Sequence, residues 1–321
     1  MSYRILNLFG AHIMPKAREA LAQFGTIDDK EMTREELAGA IHQYDIIFMG
    51  LYPEITGEMI QKADKLKVIA AATTNPNHID STVAKERGIE ILCLKDEIEF
   101  LNTITGTSEM AAGLMIDLMR GTPWAFDDVK QYHWDRDRFR GHNLYGRTLG
   151  IFGLGRLGKW MARYGKAFNM NIITYSPHIT PEEEKEFACR SVDFDTLLRE
   201  SDVLSIHSHS TSETRGIFDK EAFAKMKTGA YLVNTAAGDI INEADLLEAL
   251  EQGTIAGFGT DVLADELHFN ESFNNYPLVE YAKTHENVII VPHLGGMTHE
   301  SREATDIFMA EKVVEALKKQ A

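Results

Sequence analysis

The sequence predicts an α/β protein with two units, each built on a parallel β-sheet covered by helices. Short, almost uninterrupted apolar runs recur along the 321 residues, and such runs are typical of strands buried on both faces. Segments with helical spacing alternate with these runs, as parallel sheets require. One long helical segment interrupts the alternation, and at roughly 150 residues per domain the length suits two units.

The predicted strands are apolar runs that are too short for buried helices. They cover residues 3–9, 44–49, 66–72, 89–94, 148–152, 171–175, 202–207, 230–234, 254–259 and 287–291. The predicted helices between them have apolar residues three and four positions apart. They cover residues 33–42, 158–168, 219–226 and 243–252.

The interruption is a predicted helix over residues 107–120, with Met110 and Leu114 on one side. A segment rich in charged and aromatic residues, 124–145, follows it. We interpret this helix as a hinge between two α/β units. A last amphipathic helix, 302–317, either returns to pack on the first unit or caps the second.

Composition and charge exclude several classes of protein. The sequence has 33 basic and 49 acidic residues, a formal net charge of −16, which repels nucleic acids and anionic membrane surfaces. It contains no apolar run near the roughly 18 residues of a membrane span and no apolar stretch typical of a signal peptide. Cys93 and Cys189 are far apart, so neither a disulfide framework nor a metal site is expected. The prediction is a cytoplasmic protein.

A glycine-rich turn after the fifth predicted strand is the strongest local motif. Gly153, Gly155 and Gly158 have the spacing GxGxxG between a strand and a helix, the context of dinucleotide binding. They would form the tight turn, admit the pyrophosphate and let the helix pack closely, respectively. Arg156 and Leu157 complete the predicted phosphate site, at a helix N-terminus with free N–H groups. A turn with purely structural glycines is the alternative.

The next predicted strand should end at the ribose of the cofactor. An NAD site usually has Asp or Glu there to accept a hydrogen bond from the 2′-hydroxyl, whereas this chain has Ser176, with His178 nearby. A 2′-phosphate would not be repelled, and both side chains would donate to it. NAD or NADP is therefore expected, with a lean toward NADP, and a simple turn at 176–177 is the alternative.

Two side chains near the C-terminus suit proton transfer. Glu266 and His293 lie at or beyond the ends of predicted strands, where open α/β sheets build their sites. Reduction of a carbonyl group by a hydride needs a proton donor, and histidine titrates in the right range. A carboxylate hydrogen-bonded to this histidine would raise its pKa. By itself the pattern leaves a structural histidine open.

Several motifs occur together in a fixed order. They cover residues 139–158, 201–207, 211–215, 233–238, 261–266 and 292–296. This set resembles the D-isomer-specific 2-hydroxyacid dehydrogenases, a family with lactate, glycerate, glyoxylate-reductase and phosphoglycerate members. The similarity is strongest over residues 134–298 and extends over most of the chain.

The resemblance implies a Rossmann doubly wound domain over residues 104–293 and a smaller flavodoxin-like α/β substrate domain that joins 1–103 to 294–321. His293 would be the general acid in reduction and the base in oxidation, with Glu266 as its carboxylate partner. The remaining residues implied at the cofactor are His207, Thr235, Ala236, Asp261 and Gly295. The hinge helix and the aromatic segment after it would form a homodimer contact.

One position departs from the family pattern. The family carries an arginine that binds the substrate carboxylate and polarises the 2-oxo group, and this chain has Ala237 there. Truncating a buried charged hydrogen bond typically costs about 2–5 kcal/mol. Either another cation binds the carboxylate, or the substrate differs, or turnover is lost.

The substrate-binding candidates lie in the first unit. Tyr52 follows a predicted strand, and Thr74 and Asn75 lie in the loop that corresponds to the family's glycine-bearing substrate loop. Lys95 begins a segment, 95–106, that is longer than the usual family loop, and it is the candidate replacement for the missing cation. Turn residues and a solvated lysine are the alternative interpretations.

The predicted function is an NAD(P)-dependent oxidoreductase that interconverts a small 2-oxo acid and a D-2-hydroxy acid, with His293 as acid and base. Ala237 keeps two alternatives open. One is a dehydrogenase of a carbonyl substrate without a carboxylate, and the other is a non-catalytic dinucleotide-binding sensor.

Overall fold

A computed structural model describes residues 2–269 and 273–320. The chain divides into two compact units, Met1–Ile104 with Thr298–Ala321, and Thr105–Met297. In the described residues each unit holds one sheet, and all strand pairs are parallel. The predicted α/β class is therefore confirmed. Residues 1 and 321, the outer limits of the predicted domains, lie outside the described residues.

The sheet of the first unit lies between helices. Its strands are β1 (Tyr3–Asn7), β2 (Gly25–Asp29), β3 (Ile46–Met49), β4 (Val68–Ala71) and β5 (Glu90–Leu92). Its helices before residue 105 are α1 (Pro15–Ala22), α2 (Arg34–Ala40), α3 (Gly57–Gln61), α4 (Ser81–Glu86) and α5 (Ile98–Leu101), with 3-10 turns at Gly10–His12 and Ile41–Gln43. The described strands lie in the order β2-β1-β3-β4-β5, which is the flavodoxin-like order.

The central strand β3 shows why an uninterrupted apolar run is needed here. Its four residues are all fully buried. Ile46 and Phe48 pack into one core, while Ile47 and Met49 pack into another. Because successive side chains of a strand point to opposite faces, each face of the sheet has its own core, and neither face tolerates polar residues.

The second unit is a larger doubly wound sheet. Its strands are β6 (Thr148–Phe152), β7 (Asn171–Tyr175), β8 (Cys189–Ser191), β9 (Val203–Ile206), β10 (Ala230–Asn234), β11 (Ile255–Thr260) and β12 (Val288–Ile290). Its helices are α6 (Gly106–Arg120), α7 (Thr122–Lys130), α8 (Arg156–Ala167), α9 (Pro181–Phe187), α10 (Phe194–Glu200), α11 (Lys220–Lys225), α12 (Glu243–Glu251) and α13 (Pro277–Ala282), with 3-10 turns at Gly238–Ile240 and Glu266–His268.

Strand order in this unit identifies where a ligand should bind. The described strands run β12-β11-β10-β9-β6-β7-β8, which is the Rossmann order with one added edge strand. The chain reverses direction across the sheet between β6 and β9. Open α/β sheets bind ligands outside the carboxyl ends of the strands at such a switch point, and the glycine-rich turn follows β6 there.

The last helix, α14 (His299–Gln320), belongs to the first unit. It packs against α1, and Met309, Val313 and Leu317 are buried in the same core as Ile5. This is one of the two placements that the sequence leaves open for the C-terminal helix. In the part of the chain described, no helix is long and apolar enough to cross a membrane.

Two strands and several short helices are not in the predicted set. β2 and β8 are the outermost strands of their sheets, and both are too polar to show an apolar run. The predicted helix over 33–42 is shorter in the structure, because α2 ends at Ala40 and a 3-10 turn follows. The aromatic segment after the hinge helix begins as α7, which the sequence analysis left without a structure.

Candidate active site

The backbone at His293 has an unusual conformation. His293 follows β12, and its φ is 53°, in the left-handed region that residues with a β-carbon rarely adopt. Its N–H points to two carbonyl oxygens, those of Asp261 and Val291, each 3.0 Å away. Non-glycine residues in this region cluster at functional sites, where the surrounding contacts hold them.

Asp261 supplies those contacts. Its carboxylate is 2% exposed and accepts hydrogen bonds from the backbone N–H groups of Leu294 and Gly295, the latter at 2.7 Å. A β-carbon on Gly295 would lie 2.8 Å from Oδ2 of Asp261, so the turn requires glycine. Burial raises the pKa of Asp261, and the two backbone hydrogen bonds offset only part of that rise. Asp261 therefore fixes the turn that carries His293.

Sequence reasoning assigned Asp261 to the cofactor and missed this role. The spacing of 32 positions to His293 carries no signal, because only the pairing of β11 with β12 brings the two residues together. The role toward the cofactor stays a prediction.

The structure brings His293 and Glu266 together. Nδ1 of His293 lies 2.8 Å from Oε1 of Glu266, and the side chains are 41% and 19% exposed. Burial lowers the pKa of His293, but the hydrogen bond and the charge of Glu266 outweigh it, so the pKa lies above its ordinary value. With Nδ1 engaged, Nε2 is the ring atom left for a ligand. Among the described residues, no His, Cys, Asp and Glu group could hold a metal ion.

The glycines of the GxGxxG turn have distinct geometry. Gly153 has φ of 97°, and a β-carbon on it would lie 3.0 Å from the carbonyl oxygen of His207. A β-carbon on Gly158 would lie 2.1 Å from the carbonyl oxygen of Gly153, whereas one on Gly155 would meet only open space. Helix α8 begins at Arg156, directly after Gly155. The loop therefore leaves an open face at a helix N-terminus, which suits a pyrophosphate.

Two buried polar atoms after the strands β9 and β10 have no hydrogen-bond partner among the described residues. Oγ of Ser205 lies 2.8 Å from Nε2 of His207, whose Nδ1 has no hydrogen bond; Oγ1 of Thr235 has none either. Burial lowers the pKa of His207 to about 4, so its ring is neutral. His207 and Thr235 follow the adjacent strands β9 and β10, respectively. Because unsatisfied buried polar groups are rare, these atoms, with the open glycine loop, fit a bound dinucleotide.

The predicted ribose end also lies beside the glycine turn. The N–H of Gly153 donates to the carbonyl oxygen of Tyr175, so Ser176 follows directly on this contact, and His178 is exposed in the next turn. Helix α9 begins five residues after Ser176 and has three glutamates in its first turn. One of these, Glu183, pairs with Lys159 at 2.6 Å.

Ala236 and Ala237 lie in a turn held by Asn234. Its side-chain oxygen accepts from the N–H of Ala236 at 3.0 Å, and its side-chain nitrogen donates to the carbonyl oxygen of Ala237 at 2.9 Å. Ala237 is half-buried in extended conformation. Arg215 pairs instead with Asp239 at 3.0 Å. The turn therefore presents a methyl group where the family pattern has a guanidinium.

The four substrate candidates belong to the first unit. Tyr52, Thr74 and Asn75 are half-buried and follow β3 and β4, while Lys95 is exposed after β5. Oγ1 of Thr73 donates to the carbonyl oxygen of Asn75 at 3.3 Å, which shapes this loop. These positions, at carboxyl ends of strands, are compatible with a binding role, which stays a prediction.

Replacing Gly158 by alanine should weaken cofactor binding at least tenfold. The added β-carbon would lie 2.1 Å from the backbone oxygen of Gly153, so the glycine loop must move, and overpacking typically costs about 1–3 kcal/mol. Titration of NADH fluorescence and thermal unfolding measure both effects. Gly113→Ala is the matched control, because its β-carbon meets nothing within 4 Å in helix α6. Equal effects of the two variants would contradict the assignment.

Comparisons with known proteins find a matching family and related enzymes. Residues 112–295 match the family described as D-isomer specific 2-hydroxyacid dehydrogenase, NAD binding domain. The chain is 36% identical over 287 residues to a D-3-phosphoglycerate dehydrogenase of Archaeoglobus fulgidus, covering 89% of this chain and 52% of that protein. It is 32% identical over 294 residues to a glyoxylate reductase of Thermococcus litoralis, covering 89% of this chain and 85% of that protein.

A solved structure is similar over nearly the whole chain. A D-lactate dehydrogenase from Aquifex aeolicus, crystallised with NAD and lactic acid, superposes with a TM-score of 0.83 at 26% identity and covers 98% of this chain and 94% of that chain. The chain spans about half the length of the phosphoglycerate dehydrogenases that it matches.

Proposed function

Because the chain belongs to the family of D-isomer specific 2-hydroxyacid dehydrogenases, we propose that it interconverts a small 2-oxo acid and the corresponding D-2-hydroxy acid with a nicotinamide cofactor. The observation that carries this proposal is the hydrogen-bonded pair of His293 and Glu266 on a constrained turn. In this proposal the unit of residues 105–297 binds the cofactor, and the other unit contributes to substrate binding.

The proposed chemistry assigns one task to each side chain. A bound nicotinamide supplies or accepts the hydride. His293 donates the proton from Nε2 to the carbonyl oxygen during reduction and takes it back during oxidation. Glu266 stabilises the imidazolium and fixes the ring through Nδ1. Asp261 holds the turn, so that Nε2 is positioned before the substrate arrives.

We propose NAD as the cofactor. The expected lean toward NADP rested on Ser176, and it finds no support in the family, whose domain is described as NAD binding. The three glutamates in the first turn of α9, directly after the ribose turn, create a negative potential that disfavours a 2′-phosphate. NAD selectivity would then come from this helix rather than from an acid at position 176.

The residue at position 237 bears on the class of substrate. Ala237 favours a second candidate, a carbonyl compound without a carboxylate, because no side-chain cation is present at that position. A non-catalytic dinucleotide-binding sensor would have the same feature. Absorbance loss of NADH and NADPH, measured separately against 2-oxo acids and neutral carbonyls, tests all three. Rapid oxidation of the cofactor by an oxo acid supports the 2-oxo acid enzyme, and rapid oxidation by a neutral carbonyl supports the second candidate. Cofactor binding without oxidation supports the sensor.

Replacing Glu266 by glutamine should shift the pH profile of reduction to lower pH. Reduction needs protonated His293, so its rate falls as pH rises through the pKa of this histidine. Glu266 holds that pKa up against burial, and glutamine removes the charge. We expect turnover at neutral pH to fall about 10- to 100-fold, the value of a charged hydrogen bond. An unchanged profile would contradict the pairing. Glu248→Gln is the control, because this half-exposed glutamate of α12 pairs with Lys220 and not with His293.

We also propose that the protein forms a homodimer and that it is located in the cytoplasm. The oligomeric state and the location both stay predictions. Helix α7 and the segment after it expose large apolar side chains, including Tyr132 at 98% and Trp134 at 89%. Exposed apolar patches of this kind mark interaction surfaces. Sedimentation of the wild type against Trp134→Ser measures whether this surface supports self-association.

A further inference from the structure

A second hydrogen-bonded group lies behind the acid–base pair. It joins the loop after β11 to helix α12 and to Tyr276, the residue directly before α13. The N–H of Ala264 donates to Oε1 of Glu243 at 2.8 Å. The hydroxyl of Tyr276 contacts Oε2 of Glu243 and also the carbonyl oxygen of Ala264, the latter at 3.0 Å. The three residues therefore form a closed ring of contacts around the backbone N–H and carbonyl group of Ala264.

The contacts of Tyr276 indicate how many protons Tyr276 and Glu243 share. The phenol of Tyr276 has one proton, yet two oxygens lie within hydrogen-bond distance of it. All contacts are satisfied only if the carboxyl group of Glu243 brings a second proton. Glu243 then donates to the phenol oxygen, and Tyr276 donates to the carbonyl oxygen of Ala264. The other carboxyl oxygen remains the acceptor for the N–H of Ala264.

The surroundings of Glu243 favour this neutral form. Burial raises its pKa, and the hydrogen bond from the N–H of Ala264 and the contact with Tyr276 offset only part of that rise. Asp265, the charged group that faces it from the loop, raises the pKa further. Burial and the contact with Glu243 raise the pKa of Tyr276, and Asp265 and Glu266 add to the rise, so the phenol keeps its proton.

The ring lies close in the chain to Glu266, the residue that touches His293. Glu266 is two positions beyond Ala264, and Asp265 between them has φ of 59°. The loop also passes close to Gly238, where a β-carbon would lie 2.1 Å from the carbonyl carbon of Leu263. The path from Ala264 to Glu266 is therefore short and constrained, so a shift of the first moves the second.

We propose that Tyr276 is a positioning residue of the acid–base pair, and that it acts with a protonated Glu243 to hold the backbone of Ala264 and thereby the carboxylate of Glu266. The role in turnover rests on the proposed function of His293. Neither Tyr276 nor Glu243 belongs to the family motifs from which the sequence predicts the site. Aromatic contacts of Tyr276 with Phe269 and Phe273 hold the ring in place without its hydroxyl.

Tyr276→Phe is the first test, because it removes the hydroxyl and keeps the aromatic packing. We expect kcat to fall about tenfold, the KM for NADH to stay constant and the basic limb of reduction to move to lower pH. Tyr281→Phe in helix α13 is the matched control, because its hydroxyl accepts a hydrogen bond from Asn287 and takes no part in the ring. An unchanged kcat and pH profile in Tyr276→Phe would overturn the positioning role.

The second test concerns the proton on Glu243. Glutamine reproduces the neutral group, with an amide N–H for the phenol oxygen and a carbonyl oxygen for Ala264. We expect Glu243→Gln to retain kcat within about twofold and Glu243→Leu to lose about tenfold. Infrared difference spectra of the wild type against Glu243→Gln should show a protonated carboxyl band. If glutamine behaves like leucine, or if the band is that of a carboxylate, the protonated form is wrong.

A direct titration of His293 by NMR separates this proposal from the proposed function. Tyr276→Phe should lower the pKa of His293 whether or not the protein turns over. A lowered pKa in a protein with no dehydrogenase activity would retain the positioning ring and reject the function. An unchanged pKa in an active enzyme would reject the ring and retain the function.

Discussion

His293→Asn is expected to reduce turnover by about 10²- to 10⁴-fold, the usual contribution of a general acid or base. Asparagine keeps a polar side chain that is able to reach Glu266, but it has no titratable proton for the substrate. Binding of NADH should change by no more than about twofold, because the glycine loop, His207 and Thr235 are untouched. Stopped-flow reduction and NADH fluorescence titration measure the two quantities.

The control for this variant is His285→Asn, an exposed histidine before β12 that stacks on Tyr281. Full activity of His293→Asn would remove His293 from the mechanism. A loss of NADH binding together with turnover would mean that the turn at 293–295 has collapsed, and the effect would then be structural.

Ala237→Arg is expected to raise kcat/KM for 2-oxo acids by roughly 30-fold or more. This change restores the side chain that the family pattern has at this position, and a buried charged hydrogen bond is worth about 2–5 kcal/mol. Arginine offers two parallel N–H donors that match a carboxylate. The side chain would extend from a half-buried residue in extended conformation. Initial rates with several oxo acids measure the gain.

Ala237→Leu separates the charge from the added volume and should give no gain. A gain specific to arginine would show that the carboxylate of an oxo acid lies near position 237. A loss with both variants, together with wild-type activity on neutral carbonyls, would favour the second candidate substrate class.

Local patterns in the sequence predicted the features that depend on local physics. Strands buried on both faces require runs such as 46–49, and a phosphate loop requires glycine at 153 and 158, where a β-carbon would strike the backbone. These requirements leave a pattern within a few adjacent residues of the sequence, so they are visible without the structure. The proximity of His293 and Glu266 came instead from the resemblance to a family.

Features that depend on long-range contacts had no signal in the sequence. The strands β2 and β8 form because a neighbouring strand accepts them at a sheet edge, although their own residues are polar. Asp261 holds the turn at His293 through the pairing of two strands, and Tyr276 reaches Ala264 from the residue that precedes helix α13. No periodicity or spacing encodes such contacts.

The return of α14 to the first unit affects the order in which the chain folds during synthesis. Strands β1 to β5 leave the ribosome first, but the helix that completes their core follows the second unit, which is about 190 residues long. At 5–20 residues per second, this delay is about 10 to 40 s. The second unit is continuous and is able to fold during that time, whereas the first unit exposes part of its apolar core until translation passes residue 317.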